Sequence, residues 1–258
     1  MTYQRSLIAA GALSLAVLAP TGAMAADMPS YTPPPPMAAA PVWSWQGFYM
    51  GLFAGAAWGD VEATELFNAP TLTYYNGTGA NYSLDGTGFF GGAQAGYNWQ
   101  MNQFVLGIEG ELGYMDLKDS RLDPNSLLLP VPDTYTKFDS DFYGALTGRI
   151  GFAADQVLLY AKGGVAFLNA DATTNDSCNV GGCGALLINA TGSDTMVGWT
   201  LGGGLEYAFT PNWSIKAEYM YFDFGDFDIA GVASNGLAYS QNFDVTAHTA
   251  KVGVNYRF

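Results

Sequence analysis

The stretch VTAHTAKVGVNYRF, residues 245–258, decides the fold. Its two faces differ, with Val252, Val254, Tyr256 and Phe258 on one and Lys251, Gly253, Asn255 and Arg257 on the other. This alternation is typical of a β-strand that separates two environments. In a soluble sandwich the apolar face would pack on other side chains, whereas in a membrane barrel it would contact lipid and the polar face would point into the lumen.

The N-terminal residues predict export. Arg5 precedes an apolar run over 7–18, and Ala23-Met24-Ala25 has the small-x-small pattern of a cleavage site. The run is shorter than the ~20 residues that a membrane helix needs. Prolines 33–36 then favour an extended spacer, with a ligand for a Pro-binding partner as the alternative. We predict three segments: a signal peptide over 1–25, a Pro-rich periplasmic tail over 26–42 and a barrel domain over 43–258.

The composition also suits a membrane barrel. Glycine accounts for 33 of 258 residues, aromatic residues for 15% and charged residues for 12%, against ~25% charged residues in soluble proteins. So few charges would hydrate a soluble surface poorly, whereas aromatic side chains suit the girdles of a barrel. The formal net charge of −14 argues against nucleic acid as a partner, because phosphates bind basic surfaces.

From residue 46 onward the chain repeats one alternating pattern. We predict eight strands, at 46–58, 87–99, 104–115, 142–152, 157–167, 196–209, 213–223 and 245–258. Connections are short after even-numbered strands and run about 20 to 28 residues after odd-numbered strands. This layout predicts an all-β fold, an eight-stranded antiparallel up-and-down transmembrane β-barrel with short periplasmic turns, four long extracellular loops and periplasmic termini.

The parity of each strand assigns charged residues to the inner face. These are Glu109, Glu111, Glu206 and Glu218, together with Arg149, Lys162, Lys216, Lys251 and Arg257. An eight-stranded barrel holds little beyond its own side chains, so we predict a salt-bridged lumen network, with a selective conduit as the alternative. Glu206 and Lys216 should pair across a hairpin. Arg149 and Lys162 should lie close together, with Glu109 and Glu111 as their counter-charges.

The long loops take the surplus negative charge. Acidic residues in or beside them are Asp60, Glu62, Glu65, Asp85, Asp116, Asp119, Asp123, Asp133, Asp139, Asp141, Asp171, Asp176, Asp194, Asp223, Asp226, Asp228 and Asp244. We interpret them as a solvating rim, with divalent-cation binding as the alternative. Two apolar stretches, 127–131 and 222–227, are interpreted as loop packing, with partner-binding patches as the alternative.

Cysteine and histidine are sparse. Cys178 and Cys183 occur as CNVGGC in the third long loop, where four intervening residues allow a disulfide. No metal site is predicted, since the sequence has no second cysteine pair or histidine cluster. The single histidine, His248, is predicted on the outer face near the extracellular rim. No serine follows it with hydrolase spacing, so we predict no enzymatic activity.

Six segments resemble the RopB-like porin family of small alphaproteobacterial outer-membrane proteins. They are WQGFYMGLFAGAAWG (45–59), GFFGGAQAGYNWQ (88–100), LTGRIGFA (146–153), LLYAKGGVAF (158–167), GWTLGGGLEYAFTPNWSIKAEYMYFDFG (198–225) and VGVNYRF (252–258). The resemblance implies an abundant eight-stranded barrel that supports envelope integrity and host-surface interaction. It also implies a C-terminal assembly signal, for which the matching residues are Lys251, Gly253, Tyr256 and Phe258.

The resemblance leaves three functions to consider. We expect a non-enzymatic structural surface protein without a cofactor, in contact with outer-membrane lipid, lipopolysaccharide, the barrel-assembly machinery and a host surface. One alternative is a narrow porin-like channel for small solutes. The other is loop-mediated ligand binding, because some relatives in this family have been linked to haem; the candidate ligands here are Tyr74, Tyr75, Tyr82, Tyr135 and His248.

Overall fold

The structure is a computed structural model that describes residues 43–68, 81–122, 134–176, 188–232, 236 and 238–258. The predicted signal peptide and Pro-rich tail lie outside these residues. The described residues form a unit built of β-strands. Among them, no helix is both long enough and apolar enough to cross a membrane.

The strands form one antiparallel sheet. They are β1 Gly47–Asn68, β2 Asn81–Met101, β3 Phe104–Met115, β4 Asp119–Leu122, β5 Thr134–Ala154, β6 Val157–Asp176, β7 Ile188–Ala208, β8 Trp213–Val232 and β9 Ala238–Arg257. The strand order is β3-β2-β1-β9-β8-β7-β6-β5-β4, and β3 also pairs with β5, so the sheet closes on itself. Short β4 continues β3 along the same neighbour, β5. The predicted eight-membered antiparallel barrel is therefore confirmed.

The predicted strand ends are wrong on one side of the barrel. Apart from β3 and β4, the strands have 20 to 22 residues. They extend into the predicted long loops, and we call this side the loop end. At the opposite side, the turn end, Asn102 and Asp155 have φ of 58° and 50°. Asn and Asp tolerate this left-handed conformation, which tight hairpins require.

An apolar band surrounds the barrel, as the alternation predicted. On β1 it runs from Phe48 to Trp58, both exposed. These ten steps cover about 33 Å of strand, which at a tilt near 40° spans about 25 Å, the height of the lipid-facing band of outer-membrane barrels. Exposed aromatic residues mark its borders, with Trp99, Trp213 and Phe258 at the turn end and Trp58, Phe142 and Trp199 at the loop end.

The lumen is filled in layers. Trp45, Val105 and Leu158 form an apolar cluster near the turn end. A layer of ionised side chains follows, and beyond it lies a larger apolar cluster that begins with Phe53 and Phe90. Small residues on the inner face leave room for these side chains, since a Cβ on Gly204 would lie 2.8 Å from the Tyr160 hydroxyl oxygen.

A β-bulge in β8 changes which residues face inward. The register shifts between Asp223 and Asp226, and Gly225 between them has a φ of 72°. Its amide donates to Asp223 Oδ1 at 3.1 Å. Because the bulge adds one residue to the strand, Phe224 and Phe227 both point inward and are buried, while Asp226 stays exposed.

The apolar stretch 222–227 therefore lies in the barrel wall, with Phe222, Phe224 and Phe227 inside. Its interpretation as loop packing is wrong, and so is the alternative of an exposed binding patch, because these rings pack in the lumen. The second apolar stretch, 127–131, lies outside the described residues.

Candidate functional site

Eight ionised side chains meet in the middle of the lumen, and Glu109 on β3 is their hub. Its carboxylate accepts hydrogen bonds from Tyr49 Oη at 2.7 Å and from Lys162 Nζ at 2.7 Å. Lys216 Nζ lies 3.3 Å from Oε1, and Arg149 Nη1 lies 3.7 Å from Oε2. All five residues are buried. Since a carboxylate has about four lone-pair sites, Glu109 is close to fully occupied.

Arg149 on β5 occupies the turn-end side of this layer. Its Nε donates to Asn98 Oδ1 at 2.8 Å and its Nη1 to Glu206 Oε2 at 3.3 Å. The guanidinium carbon lies 4.5 Å from the Tyr49 ring centroid and 5.2 Å from that of Tyr160. Planar guanidinium groups bind aromatic faces well in such positions. Arg149 is therefore held by a carboxylate, an amide and two rings.

Glu111 and Glu218 form the loop-end side of the layer. Glu111 accepts from Lys251 Nζ at 2.6 Å and from Lys162 Nζ at 2.5 Å. Glu218 accepts from Lys216 Nζ at 3.2 Å, and its Oε1 lies 2.8 Å from both Lys162 Nζ and Lys251 Nζ, although those contacts lack the alignment of hydrogen bonds. Each lysine thus bridges two or more carboxylates.

Two tyrosines complete this layer. Tyr143 Oη donates to Glu111 at 2.8 Å, and Tyr160 Oη donates to Glu218 at 2.8 Å. Tyr49, Asn98 and Tyr143 were not predicted as members of the network. Strand parity indicates all three, because they are polar residues at inward positions, but they carry no charge.

The predicted contacts within the network are partly correct. Arg149 and Lys162 are cross-strand neighbours, and Glu109 contacts both. Glu206 and Lys216 are also opposite in register, but the described ion pairs do not include this one. Glu206 instead accepts from Ser214 at 2.5 Å, from Asn255 at 2.8 Å and from Arg149. The expected cross-strand ion pair is therefore wrong.

Arg257 is also absent from the network in the described structure, contrary to its assignment to the lumen charges. It lies at the turn end, where its Nη2 donates to the Pro211 carbonyl at 2.9 Å and its guanidinium carbon lies 4.1 Å from the Trp43 ring centroid. The network then contains four carboxylates and four cations, so it carries no net charge.

Three of the carboxylates, Glu109, Glu111 and Glu218, each place an oxygen within 4.8 Å of the others. Carboxylates at this spacing can hold a metal ion, but lysine ammonium groups occupy the space between these three. Lys162 Nζ alone lies within 2.8 Å of an oxygen of each. The cluster is thus charge-compensated by the protein itself, and its chemistry does not require a cation.

Trp45 plugs the lumen at the turn end. Its indole Nε1 donates to the Asp155 carbonyl at 3.0 Å, its amide donates to Gln100 Oε1 at 2.5 Å, and its carbonyl accepts from Asn98 at 3.2 Å. The side chain is 2% exposed. Trp45 was not predicted to lie in the lumen because it comes one residue before the predicted strand start at 46, although its parity matches that of the inward residues Tyr49 and Phe53.

A ring of polar side chains crosses the lumen nearer the loop end. Tyr82 Oη and Thr136 Oγ1 are 2.7 Å apart, Thr136 Oγ1 and Thr174 Oγ1 are 3.1 Å apart, and Thr174 donates to Gln241 Oε1 at 2.9 Å. Gln241 Nε2 closes the ring by donating to Tyr82 Oη at 2.6 Å. Four strands are linked in this way. The Tyr82 hydroxyl therefore forms its hydrogen bonds inside the lumen, and Tyr82 is a poor candidate for a haem ligand in a loop.

The acidic residues of the predicted rim lie mainly on strand extensions and not in loops. Those within β1, β2 and β4 to β9 are Asp60, Glu62, Glu65, Asp85, Asp119, Asp139, Asp141, Asp171, Asp176, Asp194, Asp223, Asp226, Asp228 and Asp244. Glu65 is buried, so it does not belong to a solvating rim. Asp123 and Asp133 lie outside the described residues.

Asp244 is at the centre of one acidic row. Glu62 on β1 and Asp226 on β8 are its direct cross-strand neighbours. Partial burial, followed by the nearby Asp223 and Asp226 carboxylates, raises the pKa of Asp244. A raised carboxyl pKa means that the ionised form opposes folding, so this penalty acts at neutral pH and disappears when the pH falls below the unfolded-state pKa of about 3.9.

We expect Asp244→Asn to raise the free energy of unfolding by about 0.5 kcal/mol at pH 7, because it removes like charges from directly opposite positions. Urea titrations in lipid vesicles would measure this, and the gain should vanish near pH 3. Asp194→Asn is the matched control, since Ala170 lies opposite Asp194 on β6. An Asp244→Asn gain that persists at the low pH would contradict the charge explanation.

The remaining predicted residues have separate positions. His248 faces outward between Trp58 on β1 and Tyr221 on β8, as predicted, and its Nδ1 lies 2.6 Å from Tyr219 Oη. Tyr135 is exposed on β5. The other candidates from the sequence, Cys178, Cys183, Tyr74 and Tyr75, lie outside the described residues.

The C-terminal residues divide between the two faces of β9. Lys251 and Gly253 point inward, whereas Tyr256 and Phe258 face outward. The Tyr256 ring centroid lies 5.0 Å from that of Phe258 and 5.1 Å from that of Trp213. Their role in assembly stays a prediction.

Known relatives support the same architecture. The family model described as outer membrane protein beta-barrel domain matches residues 12–258. This chain belongs to that family. The 31 kDa outer-membrane immunogenic protein of Brucella melitensis is 35% identical over 252 residues, which cover 95% of this chain and 97% of that protein. The 22 kDa outer membrane protein of Rhizobium leguminosarum is 29% identical, with 84% and 80% of the two chains covered.

The resemblance to small alphaproteobacterial barrel proteins is thereby confirmed, and the chain is a surface protein of the outer membrane. In such barrels the short turns face the periplasm. Solved structures are more distant: Yersinia pestis Ail is 17% identical with a TM-score of 0.38, covering 83% of this chain and 99% of its own. Pseudomonas aeruginosa OprG is 10% identical with a TM-score of 0.44, covering 83% and 97%. The family assignment depends on the sequence matches.

Proposed function

We propose that this barrel is a structural surface protein that supports the envelope and presents its loops, without conducting solutes or catalysing a reaction. The charge-balanced lumen network is the observation that carries the proposal. Its eight side chains are 1% to 4% exposed, and each carboxylate has cationic or hydrogen-bonding partners. A solute would have to break several of these contacts at once in order to pass.

Two further layers support a closed lumen. Trp45 covers the network on its turn-end side. On the loop-end side the rings of Phe53, Phe90 and Phe222 lie in sequence, with centroids 5.3 Å and 6.3 Å apart. A water-filled pore needs a continuous polar path. Apolar layers on both sides of an ionised layer do not supply one.

The surroundings of His248 support a non-enzymatic role. Its Nδ1 is engaged by Tyr219, and its cross-strand neighbours Trp58 and Tyr221 offer no activated nucleophile. Outward-facing aromatic side chains beside an imidazole, as here, are typical of the membrane–water interface. By this proposal the aromatic borders contact lipid and lipopolysaccharide, the loops contact a host surface, and the C-terminal strand engages the assembly machinery.

Planar-bilayer recording tests the closed barrel directly. The folded protein should give no stable single-channel steps, because the lumen layers leave no continuous water path. Insertion must be verified independently, for which a heat-modifiable shift of the folded band on a gel is sufficient. The double variant Glu109→Ala with Lys162→Ala removes one neutral pair from the network but leaves the apolar layers on both sides in place, so it should also give no stable steps. Stable steps from the unmodified protein would contradict the proposal and favour the narrow channel.

A further inference from the structure

A groove of about 800 Å³ indents the lipid-facing wall of the barrel. Its floor consists of Ala93 and Ala95 on β2 and Gly110 on β3, and Met50, Leu52 and Leu112 rise beside it. Its volume is within the ~300–1,000 Å³ of pockets that hold small organic ligands. The role proposed above uses the lumen, the loops, the aromatic borders and the C-terminal strand, and it leaves the floor of this groove without an assignment.

Strand register explains the groove. Ala93 lies between its cross-strand neighbours Leu52 and Leu112, which are 68% and 61% exposed. One step toward the turn end, Ala95 lies between Met50 and Gly110. Small residues on the central strand between large residues on its neighbours give a concave apolar surface. A second groove on this wall, of about 690 Å³, also has a small floor residue, Ala217, between Leu205 and Val252, but Trp213 and Tyr256 do not line it.

The position of the groove along the barrel axis indicates which membrane leaflet it faces. It begins near Trp213 and Tyr256, which also line it and which stand at the turn-end border of the apolar band. It ends near Leu52, halfway between Phe48 and Trp58 along β1. Aromatic side chains of this kind lie at the headgroup level, and half of a hydrocarbon core is about 15 Å. The groove therefore matches the periplasmic leaflet, which contains phospholipid.

We propose that this groove binds an acyl chain of a periplasmic-leaflet phospholipid. The groove is continuous with the lipid contact surface of a protein of the outer membrane, so its occupant comes from the same lipid. Dispersion contacts favour occupancy, because a concave wall touches a chain on several sides and an empty groove would lose those contacts. The inference does not depend on whether the lumen conducts.

Gly110→Leu tests the proposal by filling the floor. A Cβ at Gly110 would meet nothing nearer than 4.0 Å, and the same holds for Gly148 on β5, which also faces lipid and is a diagonal neighbour of Gly110 but does not line the groove. Gly148→Leu is therefore a matched control. Native mass spectrometry of the folded full chain, in detergent micelles with 1-palmitoyl-2-oleoyl phosphatidylethanolamine, would count the retained lipid.

We expect the unmodified protein and Gly148→Leu to retain one phospholipid, and Gly110→Leu to retain it about tenfold less tightly, which corresponds to about 1.4 kcal/mol. Ala95→Leu should give the same loss and serves if Gly110→Leu does not fold. Equal retention by all variants would overturn the proposal. So would dimers of the unmodified protein that Gly110→Leu disrupts, because the groove would then be an interface between two copies.

Discussion

Replacing Arg149 by leucine is expected to lower the free energy of unfolding by about 3–5 kcal/mol, because it leaves a buried carboxylate without its cation. Leucine cannot donate to Glu206 or to Asn98, both of which the guanidinium contacts. The lumen network would then hold four carboxylates and three cations, in an interior where charge is poorly solvated. Contacts of the guanidinium with Tyr49 and Tyr160 would be lost as well.

Urea unfolding in lipid vesicles would measure this loss. Arg121→Leu is the matched control, since Arg121 is exposed at the loop end and exposed charges contribute about 0–1 kcal/mol. A second variant that combines Arg149→Leu with Glu206→Gln restores neutrality and should recover part of the stability. If Arg149→Leu costs less than about 1 kcal/mol, then the lumen is hydrated and the closed-barrel proposal fails.

Sequence alternation predicted the orientation of individual side chains because a strand has a strict period of two. Glu109 and Lys162, for example, were assigned to the interior from parity alone, and both are buried. Closure of the barrel follows from the same information, since the membrane interior cannot satisfy an open strand edge. The alternation thus specified which residues could meet in the lumen.

The loop-end extensions were missed for a physical reason. Within the apolar band the outward residues are apolar and the charged strand residues point inward, but beyond Trp58 the charged residues point outward. On β1, Asp60 and Glu62 face outward, and Val61 and Ala63 are buried inside. Above the band the outer surface meets water and the lumen holds an apolar cluster. A search for apolar residues on the outer face therefore ends each strand too early.

The individual contacts in the lumen also could not be predicted from the sequence. Register places Glu206 opposite Lys216, yet Lys216 Nζ reaches Glu109 and Glu218 instead. A lysine side chain has four methylene groups, so its ammonium can reach across a narrow lumen to several strands. Neighbouring backbone positions thus limit the choice of partner but do not determine it.

The second large effect concerns Trp45, which the strand pattern did not assign. Trp45→Ala is expected to cost about 3 kcal/mol, as truncation of a fully buried tryptophan usually does. Trp45→Phe, which keeps most of the packing and loses the hydrogen bond to the Asp155 carbonyl, should cost about 1 kcal/mol. Urea titration in lipid vesicles would measure the free energy of unfolding of both variants. The lipid-facing Trp99→Ala is the control, because it removes an aromatic ring outside the lumen.

The cost of Trp45→Ala has an upper limit that follows from topology. Trp45 precedes β1, so its segment can detach from the turn end while all of the strand pairing in the barrel remains. The loss therefore cannot exceed the free energy with which this segment docks. Detachment would also expose Asn98, whose amide donates to the Trp45 carbonyl, and with it the turn-end side of Arg149. Wild-type stability in Trp45→Ala would show that the plug contributes nothing to keeping water from the network.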